Sequence, residues 1–279
     1  MPGESVPPDP LYALARGVLL DALEALGDQR DAVVLVGAQA IYLHTGDAEL
    51  AVAESTTDSD LGIDPGALKN SPELEVAMVD AGFSRSGQPG TWVAARRLEG
   101  RPVTVDVDLM VPEALGGGGR RGARLPEPHG NRAARKARDL EAALVDREVR
   151  EIGALDERDS RRLRVAVAGP AALLVAKLHK ISERVDAQRR ASDKDALDVL
   201  RLLRAVSTET FAGALGRLRK DPLSSGVTEG AISYLRELFS SPDAPGSSMA
   251  ARAASPLEPE DEIRGSCAVL SQDLLADLE

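Results

Sequence analysis

The sequence predicts an α+β fold: a mixed sheet flanked by helices, followed by an all-helical C-terminal domain. Three observations carry this expectation. Short apolar or alternating runs, bounded by Gly, Pro and Asp, fall before residue 168 and read as strands. After residue 171 the apolar residues recur at helical spacing, and Gly and Pro clusters separate the segments. The 279 residues are 43% hydrophobic and 28% charged, enough for a buried core and too apolar for a disordered chain. The division is placed at residues 1–168 and 169–279.

The elements follow in order. Leu11, Leu14, Val18, Leu19, Ala22, Leu23 and Leu26 share a helix face over residues 10–27, with Gly27 as a stop. Ala32–Val36 is an apolar run ended by Gly37, so it reads as a buried strand, and a helix is expected from Ala38 to His44. Residues 47–56 read as a loop. Thr57–Ile63 alternates as a strand does, and Asp64-Pro65-Gly66 turns the chain behind it. A helix over 70–81 and strands over 91–97 and 103–110 come next. The glycines and prolines of 114–136 predict a flexible basic loop. Val165–Ala168 is the clearest strand of the stretch 137–168, and Gly169-Pro170 opens the helical part. Helices are expected near 171–190, 193–206, 208–219, 227–240 and 259–278.

Composition excludes some chemistries. Cys267 is the only cysteine, so neither an intrachain disulfide nor a cysteine-based zinc site can form. The first residues lack a basic, then apolar, leader, and no run of about 18 apolar residues occurs. The expectation is a cytoplasmic protein without membrane contact. His44, His129 and His179 are far apart and lack metal-ligand spacing, so packing roles are expected for them. Ser59 lies in no nucleophile-elbow motif.

Charge is unevenly placed. Residues 1–118 hold 7 basic and 19 acidic side chains, whereas 119–204 hold 21 basic and 14 acidic. The basic middle can form a phosphate-binding stripe on an otherwise repelling surface, or simply a set of solvated helix faces.

Three motifs carry candidate chemistry. Gly37 ends a buried strand and opens a helix, a junction where backbone can approach phosphate. Asp58 and Asp60 stand two apart on a strand and so point to one face. Adjacent carboxylates repel unless a cation joins them, and hard oxygen ligands suit Mg²⁺ or Mn²⁺; a solvated turn before Pro65 is the plainer alternative. Asp106 and Asp108 repeat the pattern in an apolar strand, where they either share that cation or line a wet face.

The order of these motifs resembles the polymerase-β-like nucleotidyltransferase superfamily. There, Gly-Gly or Gly-Ser follows the first strand, a metal-binding D-x-D lies on the second, and a third carboxylate lies on a later strand. Here Gly37 is followed by Ala38. Asp108-Leu109-Met110-Val111-Pro112 resembles the family's third-carboxylate ending, which favours Asp108 and leaves Asp106 in reserve. Ala176-Lys177-Leu178, then Arg184, then Lys194-Asp195-Ala196-Leu197-Asp198 is similar to the signature of the AbiEii and MenT nucleotidyltransferase toxins, so the likeness spans about residues 31–204. It implies metal ligation by Asp58, Asp60 and Asp108. It implies catalytic roles for Asp58, Lys177, Asp195 and the hydroxyl of Thr56, and nucleotide binding by Gly37, Ala38, Thr57, Lys177, Lys180 and Arg184. Lys177, Lys180 and Arg184 share one helix face, and an interhelical salt-bridge layer with Asp195 and Asp198 is the structural alternative. The resemblance further implies an NTP substrate, the 3′ end of tRNA as acceptor, no DNA, and a neighbouring antitoxin protein in a toxin–antitoxin pair. A small-molecule, antibiotic-type nucleotidyltransferase and a non-catalytic, degenerate binding module are the rival readings.

Overall fold

The computed structural model describes residues 8–46, 56–119, 121–185 and 191–279. The loop expected over 47–56, the end of the helix expected to reach 190, and Arg120 of the basic loop fall largely or wholly outside these residues. The fold is α+β: a mixed open sheet flanked by helices, with a helical C-terminal region.

Helix α1 (Pro10–Leu26) starts where Asp9 accepts from the Leu11 and Tyr12 amides and Pro10 supplies a ready-made first turn. It buries Ala15, Val18, Leu19, Ala22, Leu23 and Leu26 against the sheet. Strand β1 (Val33–Val36) is buried throughout and leads directly into α2 (Gly37–Thr45). Strand β2 (Asp58–Ile63) follows, then α3 (Leu74–Asp80), β3 (Ser84–Arg85), β4 (Thr91–Leu98), β5 (Arg101–Pro112) and β6 (Arg135–Ala137). Helix α4 (Glu141–Val145), β7 (Arg147–Gly153) and β8 (Arg162–Ala168) complete the sheet part. The strand order is β3-β4-β5-β2-β1-β8-β7, with β6 added beside the end of β5.

Two parallel pairings decide where chemistry can sit. Strand β2 lies parallel to β5, which sets Asp58 beside Asp106 and Asp60 beside Asp108. Strand β1 lies parallel to β8 and antiparallel to β2, ending its ladder with Val36 opposite Asp60. The other faces of β2 and β5 carry Ser59, Leu61, Val105, Val107 and Leu109, all buried. Alternation therefore holds: carboxylates on one face, core on the other.

From α5 (Pro170–Val185) onward every element among the described residues is a helix: α6 (Ala191–Ala205), α7 (Thr208–Leu218), α8 (Ser225–Phe239), α9 (Pro245–Ala254) and α10 (Glu260–Asp277). Asp146 holds the start of α5, accepting from the Ala172 amide at 3.2 Å. Helices α5 and α6 pack on each other and on α2, which brings the helical region to the end of β1.

Four sequence expectations need correction. The helix expected over 70–81 starts at Leu74, because Pro72 interrupts the helical pattern and the Gln29 amide ties down the carbonyls of Lys69 and Pro72, both at 2.7 Å. The loop over 114–136 is not free chain. It buries Ala123, Leu125, Ala133 and Ala134, and its end becomes β6. Helix α4 is a single short turn of helix without a period to read. Helix α9 was hidden because Pro245-Gly246-Ser247-Ser248 reads as a breaker, whereas Pro245 takes the first helical position.

Candidate functional site

The site is built from the end of β1, the carboxylate face of β2 and β5, the strand β6, and helix α5. Gly37 is the hinge. Its φ of +69° lies where a side chain is strained, and a Cβ there would stand 2.1 Å from Asp60 Oδ2. The glycine thus leaves room for the Asp60 carboxylate. Gly37→Ala is expected to cost about 1–2 kcal/mol from backbone strain alone and to displace Asp60. Thermal melting checks this; an alanine variant as stable as the parent would contradict it.

Each carboxylate has a distinct setting. Asp58 accepts from Thr56 Oγ1 at 2.5 Å, and Thr56 is buried. Asp108 accepts from Thr91 Oγ1 and from the Arg135 guanidinium, both at 2.7 Å. Asp60 is half-buried, and burial, then the charge of Asp58, push its pKa up to about 6, with Lys180 opposing. Burial and the charges of Asp108 and Asp58 raise Asp106 as well. The four carboxylates therefore repel one another across two strands.

Among the described residues, no three His, Cys, Asp or Glu side chains are drawn together as a metal cage. Asp58 and Asp108 are turned toward Thr56, Thr91 and Arg135 instead. The donor chemistry nevertheless fits a hard divalent cation: oxygen ligands on one face of neighbouring strands, whose mutual repulsion such an ion relieves.

Beside Asp60 opens a cavity of about 290 Å³. Val36, Gly37 and Asp60 form one wall. Met110 and the β6 residues Arg135, Lys136 and Ala137 form another, continued by Arg138, Asp139 and Leu140. Helix α5 forms the third, with Ala172, Leu173 and Ala176 near its start and Lys177, Lys180 and Arg184 further along. At helical rise, residues 172 to 184 span about 18 Å. Along α5 the lining thus runs from apolar residues near its start to charged ones, Lys177, Lys180, Glu183 and Arg184, further along.

The cations are organised by Asp195. It accepts from Lys177 at 2.6 Å, Lys180 at 3.0 Å and Arg184 at 3.4 Å, and Asp198 accepts from Lys177 at 2.7 Å. Burial opposes the Lys177 charge, but Asp198 and Asp195 outweigh it and hold its pKa above the ordinary lysine range. Burial likewise opposes the Asp195 charge, and Lys177 and Lys180 win, lowering its pKa. This is the interhelical salt-bridge layer, and three of its members also line the cavity.

A scan against known protein families and searches of curated proteins and solved structures find no match. The site is therefore read from its own geometry.

Of the residues singled out from the sequence, Gly37, Asp60, Lys177, Lys180 and Arg184 meet at one cavity. Asp58, Asp106 and Asp108 share the carboxylate face beside it. Thr56 supports Asp58 from behind, and Asp195 stands behind Lys177. Ala38 is buried in the first turn of α2 and Thr57 is exposed; neither lines the cavity. The histidines take packing roles. His44 bonds the Ala168 carbonyl, His129 bonds the Leu74 amide and Lys69 carbonyl, and His179 bonds the Val227 carbonyl.

Sequence reasoning missed Arg135, Arg138 and Asp139. They follow a Gly-rich stretch without periodicity, and only the pairing of β6 with β5 brings them to the cavity. It also missed Gln39 and Arg16, buried polar residues at helical positions that read as ordinary.

Proposed function

We propose that the chain is a metal-dependent nucleotidyltransferase with a polymerase-β-like core over residues 1–168 and a helical domain over 169–279 that contributes Lys177 and Asp195. The observation that carries the reading is the cavity shared by Asp60 and Gly37 on the sheet side and Lys177, Lys180 and Arg184 on the helix side. Carboxylates facing cations across a small cleft suit a triphosphate and its counter-ion.

Asp58, Asp60 and Asp108 would hold Mg²⁺ or Mn²⁺, with Asp106 next to them. Bound there, such a cation neutralises charge on the transferred phosphate and favours the attacking oxygen. The chain's own residues do the rest. Lys180 and Arg184 bind the outer phosphates, and Lys177 adds fixed positive charge deeper in the cleft. Asp195 keeps all three oriented. Gly37 leaves room for the Asp60 carboxylate at the cavity wall. The apolar end, with Ala172, Leu173, Ala176, Leu140 and Met110, receives the base and ribose. The acceptor hydroxyl gives its proton to solvent and its oxygen bonds the α-phosphorus, while the α–β bridging bond breaks and pyrophosphate leaves.

The resemblance to the AbiEii and MenT toxins directs the acceptor to the 3′ end of tRNA and the biology to a toxin–antitoxin pair in the cytoplasm. Arg135, Lys136 and Arg138 at the cavity rim belong to the basic middle of the chain, which suits RNA phosphates. Incubation with bulk tRNA and each labelled NTP tests this: label on tRNA with at least one NTP is expected. Label on no RNA, but on an aminoglycoside or similar cationic alcohol, would move the acceptor to small molecules. The Lys177 clamp between two carboxylates favours a second reading, a degenerate binding module, which binding of Mg²⁺-NTP without turnover would identify.

Lys180 and Arg184 give the cleanest test of nucleotide binding. Both are partly exposed, so each alanine variant should cost at most about 1 kcal/mol of stability. Each should raise the KM for NTP several-fold with kcat less affected. Unchanged KM in both variants would remove the phosphates from this wall.

A further inference from the structure

We propose that Gln39 is a positioning residue for the carboxylate strand, held in its working orientation by the buried Arg16. The inference rests on the reading of Asp58 and Asp60 as metal ligands in nucleotidyl transfer.

The starting point is where the sheet runs out. The β1–β2 ladder stops with Val36 opposite Asp60, because at Gly37 the chain leaves the sheet and turns into α2. Asp58, two residues further out on β2, has β5 on one side but no β1 residue on the other. A strand end paired on one side only frays, and an error in its twist would swing the Asp58 carboxylate. Gln39 stands in for the missing strand. Its Nε2 donates to the Asp58 carbonyl at 3.1 Å and to Ser59 Oγ at 2.8 Å, and it is 1% exposed. It thus grips the main chain of the first carboxylate and the side chain between the two.

The direction of the amide is fixed by its other neighbour. Arg16 Nε donates to Gln39 Oε1 at 2.7 Å. A guanidinium only donates, so the amide oxygen must face it, and both N–H groups are left for Asp58 and Ser59. Arg16 is itself 2% exposed. Among the described residues, its remaining bonds go to Tyr12 Oη at 2.9 Å and the Gly153 carbonyl at 3.4 Å, and its plane lies over the Tyr12 ring. None of these partners is a carboxylate. A buried guanidinium satisfied only by neutral groups is costly, and apolar packing would stabilise the fold more cheaply. Its presence beneath the strand that carries Asp58 and Asp60 makes sense if the position of those carboxylates matters more than stability. Misplacement of a reacting group by about 1 Å can cost about 10²-fold in rate.

The test uses the full chain with Gln39→Leu and Gln39→Glu. The glutamate keeps an oxygen for Arg16, so the fold is retained, but it places no donor on the Asp58 carbonyl or Ser59. Mn²⁺ affinity is read by the electron-paramagnetic-resonance signal of free Mn²⁺, independently of turnover. Thermal melting and NTP turnover over a Mg²⁺ titration accompany it. Both variants are expected to bind Mn²⁺ at least fivefold more weakly, to need correspondingly more Mg²⁺, and to lose ten- to a hundredfold in kcat with the KM for NTP within twofold. Gln39→Glu should melt within a few degrees of the parent. If Gln39→Leu does not fold, Gln39→Glu alone carries the comparison. Parent-like Mn²⁺ affinity in folded Gln39→Glu overturns the positioning role while leaving the function standing. A parent chain that neither binds Mn²⁺ nor turns over NTP overturns both.

Discussion

Asp60→Asn is expected to abolish the proposed nucleotidyl transfer and, in the same chain, to raise the melting temperature at neutral pH. The two effects share one cause. Asp60 sits half-buried against Gly37, with Asp58 and Asp108 as acidic neighbours, and burial followed by Asp58 pushes its pKa to about 6 from an ordinary value of 3.8. A carboxyl with a raised pKa binds its proton more tightly in the folded chain than in the unfolded one. It therefore costs nothing below pH 3.8; the cost grows as pH rises through the interval to about 6, and it is fully present above. A shift of roughly two units corresponds to about 3 kcal/mol, an upper figure because the new amide must find its own hydrogen bonds. At about 2–4 °C per kcal/mol for a chain of this size, several degrees of added stability are expected at pH 7.5. The gain should shrink toward zero as pH falls to 4. Transfer of label should drop by roughly 10³-fold or more, the scale of losing charge stabilisation at a transferring phosphate. Melting at several pH values and the transfer assay check both halves. An Asn variant less stable than the parent at pH 7.5, or one that still transfers label, would mean that Asp60 is an ordinary structural carboxylate.

How much of this could be read from the sequence depends on the residue. Asp58 and Asp60 were legible because strand period alone puts both on one face. Their registration with Asp106 and Asp108 was not: it depends on β2 and β5 running parallel as neighbours, although 42 residues separate Gly62 from Val105. Helix α5 was legible from its apolar stripe, and so was the line of Lys177, Lys180 and Arg184. Nothing in spacing, however, tells a cation that faces a ligand from one that faces Asp195. Here the three line the cavity and also bond Asp195, since the one helix that bears them packs on α6. Gly37 was visible as a glycine at a strand–helix junction, but its purpose, a gap for the Asp60 carboxylate, exists only in three dimensions. Arg135 was illegible for a related reason. Its strand is three residues long and owes its existence to the edge of β5, not to its own pattern.

The dual position of Lys177 makes it the residue whose replacement needs most care, and Lys177→Met is expected to be severely destabilising. Its ammonium lies 2.6 Å from Asp195 and 2.7 Å from Asp198, and all three residues are buried. Removing one partner of a buried pair costs about 3–5 kcal/mol, because the charge left behind has lost both water and its counter-ion. Asp195 would keep Lys180 and Arg184; Asp198, 1% exposed, would lose its hydrogen-bonded cation. A fall in Tm of about 10 °C follows at the usual slope. Loss of activity in the single variant would thus report folding as much as catalysis. The double variant Lys177→Met, Asp198→Asn separates them, since it removes the stranded charge along with the ammonium. It should recover at least half of the lost stability, measured by denaturant unfolding. If Lys177 reaches the nucleotide, the recovered protein stays inactive, with NTP affinity reduced. If activity returns with the fold, Lys177 belongs to the salt-bridge layer alone, and the phosphates are left to Lys180 and Arg184. Deprotonation does not blur the comparison: Asp198 and Asp195 outweigh burial and hold the lysine above its ordinary range, so it keeps its charge throughout any practical assay pH.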